Sequence, residues 1–226
     1  MTRSASNIGP KPDVHGESDR VDPEVVSPRR TLMYLPIIHT QADMGDLGAS
    51  LQRIKASTFG RRRFIQSAEL VDRMWQEIEQ TVERLPIVAG ETRVYQDGLP
   101  VCAHEGHIIS EMAEAGSRNY KLLLRLESQG AMLMGTESPE LLVEEYQMAL
   151  TALESGGAGG ARRGELRSAA LLQKRDRFIA DRINSTLQPG ETGILFLGML
   201  HSVQPYLDKD IDIVYPVKDI EKVKAT

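Results

Sequence analysis

A short apolar run near the carboxyl end of this 226-residue chain narrows the choice of fold more than any other segment. The run is Gly193-Ile-Leu-Phe-Leu197, and no polar residue alternates with its apolar ones. This pattern is typical of a strand buried on both faces, as in a parallel sheet that helices cover on both sides. The run ends at Gly198, and His201 follows. Because ligands bind at the carboxyl ends of the strands in open α/β sheets, His201 is the first candidate functional residue.

Strand and helix patterns alternate along the rest of the chain. The sequence predicts strands at residues 31–38, 92–96, 131–134, 193–197 and 211–215. Apolar residues recur at helical spacing within residues 64–85, 108–115, 120–126, 139–153 and 171–187. We therefore expect a single layered α/β domain with a mixed, mostly parallel sheet flanked by helices.

The amino-terminal residues differ in composition from this domain. Residues 1–29 are polar, contain four prolines and have no apolar segment of the kind found in secretory signals. We expect a disordered leader there, followed by one domain over residues 30–226. No apolar run approaches the roughly 20 residues that span a bilayer. The single cysteine, Cys102, excludes an intrachain disulfide, so the default expectation is a cytoplasmic protein.

The net charge of −5 bears on the partners of the chain. It provides no general attraction for nucleic acid or for an anionic membrane. We therefore expect neither of these partners. The sequence leaves open whether the chain forms a homo-oligomer.

Three further polar residues lie at or just beyond the ends of predicted strands. His39 follows residues 31–38, Asp97 follows residues 92–96, and Glu137 lies between residues 131–134 and the helix start at Ser138. Each has a simpler interpretation, as a residue that caps a turn or stabilises a helix terminus. If they converge with His201 on one crevice, they provide two imidazoles and one or two carboxylates.

Two other features leave alternatives open. Pro36 lies inside the first predicted strand, which favours an edge position, a bulge or partial pairing. The segment Ala103-His-Glu-Gly-His107 lacks the i, i+4 histidine pair of metalloprotease helices and is interpreted as a polar loop or helix start. If His104 and His107 instead fold into the crevice, a metal site gains support.

The carboxyl-terminal third contains an ordered set of residues: Arg175-Asp176, then Gly198-Met-Leu-His201, then Leu207, then Ile211-Asp-Ile-Val214. This order resembles the superfamily that groups TraB and Tiki proteins, erythromycin esterases and ChaN haem-binding lipoproteins. The resemblance is strongest from Arg175 to Val217. It aligns a first Gly-x-x-His of the superfamily with Pro36-Ile-Ile-His39, where proline replaces glycine. It also aligns a carboxylate that members have at a strand end with Asp97 or Glu137.

The resemblance implies a hydrolase by either of two routes. In the Tiki-like route, His39, His201 and Glu137 or Asp97 hold a divalent metal (Mn, Co or Zn) that acidifies a bound water. In the route resembling erythromycin esterases, one histidine is the general base, the other stabilises an oxyanion, and Arg175 gives electrostatic support. The chain has no Gly-x-Ser-x-Gly, so water is the expected nucleophile.

We therefore expect hydrolysis of an ester, amide or peptide bond in a small-molecule or peptide substrate. One alternative is a regulatory protein that binds a small ligand or haem in the same crevice. The other is a structural module with an inactive site, which Pro36 favours.

Overall fold

The computed structural model describes residues 28–38, 61–154 and 161–217 of the chain. The first 27 residues of the expected leader lie outside these ranges, and so does His39. Within the described residues the chain forms one α/β domain, which confirms the predicted fold class.

The sheet has five strands in the order β3-β2-β4-β1-β5. The strands are β1 (Arg30–Ile37), β2 (Thr92–Gln96), β3 (Met132–Met134), β4 (Thr192–Gly198) and β5 (Ile211–Val214). Every pairing between them is parallel, whereas the sequence allowed for a mixed sheet. The apolar run at Gly193 therefore lies in the central strand, and all five carboxyl ends lie at one edge of the sheet.

Pro36 occupies an inner strand without losing a hydrogen bond. Arg30 N donates to Asp210 O on the β5 side, and Thr31 N donates to Glu191 O on the β4 side. By the alternation of a strand, the nitrogen of Pro36 faces the β5 side. Pairing with β5 ends at Met33, so no partner stands opposite this nitrogen. Partial pairing, one of the three predicted explanations, is the one that the structure has.

Helices cover both faces of the sheet. They are α1 (Arg61–Val82), α2 (Glu105–Glu114), α3 (Arg118–Ser128), α4 (Pro139–Glu154) and α5 (Ala161–Thr186), with a 3-10 helix at Gln204–Tyr206. Odd-numbered residues of β1 such as Leu35 pack with α1, α2 and α3 in one apolar core. Even-numbered residues such as Leu32 pack with α5 in the other. The sheet is thus the middle of three layers, as its all-apolar central strand predicts.

The structural elements agree with the sequence pattern except at their ends. The helix predicted from residue 64 begins at Arg61, and the helix predicted from residue 171 begins at Ala161. The segment around His104 is a helix start, since α2 begins at Glu105. Among the described residues, no helix combines the length and apolar character that crossing a membrane requires.

Candidate functional site

Asp97 lies directly beyond β2, at the edge where the parallel strands end. Gly98 follows it in a turn with a φ of +77°, a left-handed conformation that suits glycine. The carboxylate of Asp97 points back toward β4, where Oδ2 accepts a hydrogen bond of 2.9 Å from Gly198 N. Asp97 is 3% exposed, so this carboxylate is buried between two strand ends.

Glu137 lies beyond β3 and is held by its backbone. Its N donates to Leu99 O at 2.9 Å, and its O accepts from Val101 N at 2.8 Å. Gly135 permits this close approach, because a Cβ there would lie 2.7 Å from Val101 Cα. The side chain of Glu137 is fully buried. The predicted position between a strand end and a helix start is confirmed, since α4 begins at Pro139 and Ser138 Oγ accepts from Leu141 N at 3.2 Å.

Arg175 on α5 joins the two carboxylates. Its Nε and Nη2 donate to Glu137 Oε2 and Oε1 at 3.1 and 2.6 Å. Nη2 also donates to Asp97 Oδ1 at 2.9 Å, and Nη1 donates to Glu145 Oε2 at 2.7 Å. One buried guanidinium therefore fixes two strand ends against a helix, with the two-pronged geometry that arginine gives to carboxylates.

His201 completes the cluster. A turn after β4, closed by a 3.0 Å bond from His201 N to Gly198 O, brings its ring over the sheet edge. Nδ1 lies 2.6 Å from Asp176 Oδ1, and Nε2 lies 3.5 Å from Asp97 Oδ2. Asp176 Oδ2 also accepts from Ser202 N at 3.1 Å. The two oxygens of Asp176 thus fix both the imidazole and the backbone that carries it.

The cluster contains more negative than positive charge. It holds three buried carboxylates and one guanidinium: Arg175 contacts Asp97 and Glu137, whereas Asp176 contacts His201. Burial raises the pKa of Glu137; the Arg175 contact opposes this effect, the Asp97 charge adds to it, and the pKa stays above its ordinary value. Burial works to lower the pKa of Arg175, but Glu137, Asp97 and Glu145 outweigh it, so the pKa is raised and the guanidinium stays charged.

Three of these side chains are close enough to share a ligand. Asp97, Glu137 and His201 each offer one ligand atom, and the three atoms lie within 4.8 Å of one another. Such a group could hold a metal ion. With His201 Nδ1 engaged by Asp176, the nitrogen that it offers on this side is Nε2.

His104 and His107 lie away from the cluster. His39 lies outside the described residues, and β1 is described only as far as Ile38. His104 and His107 are exposed on the start of α2, and His107 pairs with Glu111 at 3.3 Å. Asp97, Glu137, Arg175 and His201 are therefore the predicted site residues that the structure brings together.

Sequence reasoning assigned no role to three residues at the site. The sequence pattern presents Asp176 only as the neighbour of Arg175, although two adjacent charges beside the buried face of a helix are a usable signal. Glu145 is exposed on α4, and nothing in its pattern indicates its contact with Arg175. The pKa of Tyr34 is raised by burial, with further contributions from Tyr215, Asp97 and Asp176, so its phenol stays protonated within electrostatic range of the site.

Comparison with known proteins adds no assignment. No protein-family model matches the chain, and neither the curated proteins nor the solved structures contain a significant match.

Proposed function

We propose that this protein is a hydrolase whose site lies at the carboxyl edge of the sheet and uses a divalent cation held by His201, Asp97 and Glu137. One observation carries the proposal. Asp176 engages Nδ1 of His201 at 2.6 Å, and Nε2 lies 3.5 Å from Asp97 Oδ2. A carboxylate behind the ligating histidine, with the other ring nitrogen facing further carboxylates, is the usual second layer of a protein metal site.

The charge of the cluster is compatible with a bound cation. Two carboxylates beyond the one that Arg175 neutralises are buried together, which is unfavourable unless a cation joins them or a proton does, as the raised pKa of Glu137 allows. One imidazole and two carboxylates suit Mn, Co or Zn. A bound divalent cation would supply the charge that makes a water acidic and polarises a carbonyl.

The side chains of the cluster take distinct parts in this proposal. His201 provides Nε2, and Asp176 fixes the ring and its tautomer. Asp97 and Glu137 provide oxygen ligands, and Arg175 positions both. Water is the proposed nucleophile, and the bond attacked is that of an ester, amide or peptide. The resemblance of residues 175–217 to the TraB, Tiki and erythromycin esterase superfamily supports this reaction class.

The metal-free route has less support. It needs a second histidine to stabilise the oxyanion, and His201 is the one histidine that the described residues bring to the cluster. Arg175 would give only electrostatic support, and its three nitrogens already donate to Glu137, Asp97 and Glu145. Haem binding also has less support, because Nε2 of His201 faces a buried carboxylate rather than an apolar wall.

The test is elemental analysis of the full chain without a histidine tag, after incubation with Mn, Co or Zn and removal of free metal. The wild type is compared with His201→Ala and Glu137→Gln, and with His107→Ala as the matched control on an exposed histidine. We expect one stoichiometric metal in the wild type and the control, and its loss in both site variants. The metal-loaded samples are then screened with ester, amide and peptide substrates.

The outcomes separate the alternatives. Metal retained in His201→Ala would contradict the proposed ligand set. If the wild type turns over substrate without metal and His201→Ala does not, the metal-free route replaces the metal-dependent one. A Soret band on adding haemin, absent from His201→Ala, would favour the haem-binding alternative.

A further inference from the structure

Helix α4 presents an apolar face that no part of the described domain buries. Its sequence is mostly apolar, PELLVEEYQMALTALE, yet none of residues 139–151 is buried. Val143 and Tyr146 are 54% and 46% exposed, and half-buried Leu150 follows them at helical spacing. A helix with so much apolar surface is normally covered by another element.

The first half of α5 has the same property. All residues from 164 to 170 are exposed, and Leu166, at 67%, shares one face with Ala169 and Ala170 at the spacing i, i+3, i+4. Burial on α5 begins at Leu171, where the helix reaches the sheet. Since α4 and the later part of α5 also share the Glu145–Arg175 ion pair, the two helices form one hairpin beside the site.

The charges on the hairpin indicate what covers it. Residues 139–151 of α4 contain three glutamates and neither lysine nor arginine. Residues 164–174 of α5 contain one arginine and one lysine against a single glutamate. Helix α4 is therefore acidic, and this part of α5 has an excess of positive charge.

We propose that this hairpin, α4 with residues 164–174 of α5, is the interface of a two-fold dimer of this chain. In an isologous dimer the same surface is used twice, so α4 of one copy meets α5 of the other at two equivalent places. At both places the acidic α4 of one copy then faces the positively charged part of α5 of the other. The apolar faces around Tyr146 and Leu166 are buried between the copies. The self-complementary charge pattern favours a second copy over an unrelated partner.

The first test is the mass of the full chain by sedimentation velocity and light scattering over a range of concentrations. We expect a dimer, twice 25.1 kDa. Tyr146→Glu and Leu166→Glu should each convert it to monomer, because each buries a charge at the interface. Val88→Glu is the matched control, since Val88 is 51% exposed but lies outside both helices. Circular dichroism establishes that each variant is folded.

The second test exchanges charges. Glu144→Lys and Arg167→Glu should each raise the dimer Kd by roughly tenfold, since like charges then face each other twice. An equimolar mixture of the two variants should form a mixed dimer near the wild-type affinity, because opposite charges face each other again. A monomeric wild type would overturn the proposal. The apolar face of the hairpin would then be covered by another protein or by residues outside the described ranges. A dimer that Tyr146→Glu and Leu166→Glu leave intact would also overturn it. Neither result depends on metal binding or turnover.

Discussion

Asp176 and His201 are 25 positions apart in the sequence, yet Oδ1 of one lies 2.6 Å from Nδ1 of the other. The contact joins the helix that covers one face of the sheet to the turn that follows its central strand. It fixes the ring so that Nε2 faces Asp97. The orientation of the candidate ligand is therefore set by a residue outside the ligand group.

Replacing Asp176 tests this relationship. Asp176→Asn keeps the size of the side chain but removes the charge that holds the Nδ1 proton. We expect metal affinity to fall about 10- to 100-fold while the far-UV circular dichroism stays unchanged. Asp181→Asn, on an exposed aspartate of the same helix, is the control and should leave the affinity as it is. If Asp176→Asn and Asp181→Asn bound the metal with equal affinity, Asp176 would not position the imidazole.

Arg175 should matter for stability as well as for the site. Arg175→Met leaves Glu137 and Asp97 buried without their cationic partner, which we expect to lower the free energy of unfolding by about 3–5 kcal/mol. Urea denaturation measures this change. Arg84→Met, at an exposed arginine, should stay within about 0.5 kcal/mol of wild type. If the two variants were equally stable, the guanidinium would not stabilise the buried carboxylates.

Glu137 should give the stability an unusual pH dependence. Its pKa is higher in the folded protein than its ordinary 4.5, because of burial, so the folded state binds the proton more tightly. As pH rises above 4.5, the unfolded chain loses this proton first, and the contribution of Glu137 to stability decreases. The free energy of unfolding of wild type minus that of Glu137→Gln should therefore fall as pH is raised toward neutrality.

Glu191 provides a control of opposite sign for that measurement. Its hydrogen bond from Arg93 holds its pKa below the ordinary value. Its contribution to stability is therefore present at neutral pH and is lost as pH falls below 4.5. The difference between wild type and Glu191→Gln should fall toward acid pH. The same slope for both glutamates would contradict the raised pKa of Glu137.

Gly193 tests the packing of the central strand, and Gly164 on α5 is the comparison at an exposed position. A Cβ on Gly193 would lie 2.8 Å from Leu32 Cδ1 and 3.2 Å from Tyr95 Cε2, so Gly193→Ala should destabilise the fold by about 1–3 kcal/mol. Gly164 on α5 has open space where a Cβ would stand, and Gly164→Ala should stabilise by about 0.5–1 kcal/mol. Thermal unfolding compares them. A neutral Gly193→Ala would mean that the core around β4 can rearrange.

The sequence was sufficient for the fold class and for most of the described site. An all-apolar run such as residues 193–197 is stable only between two covered faces, and this local pattern predicts a parallel sheet. Once the sheet is parallel, residues that directly follow strands must share an edge. Asp97, Glu137 and His201 could therefore be grouped from strand ends alone.

The tertiary structure decided what the side chains of the cluster do. The direction of a side chain on a long helix depends on how the helix is rotated against the sheet, and that rotation is set by packing of residues such as Ile179 and Ile183 in the core. For this reason Arg175 faces Glu137 and Asp97, while Asp176 faces His201. Local sequence fixes the spacing of residues along an element, but contacts between elements depend on the packing of the whole domain.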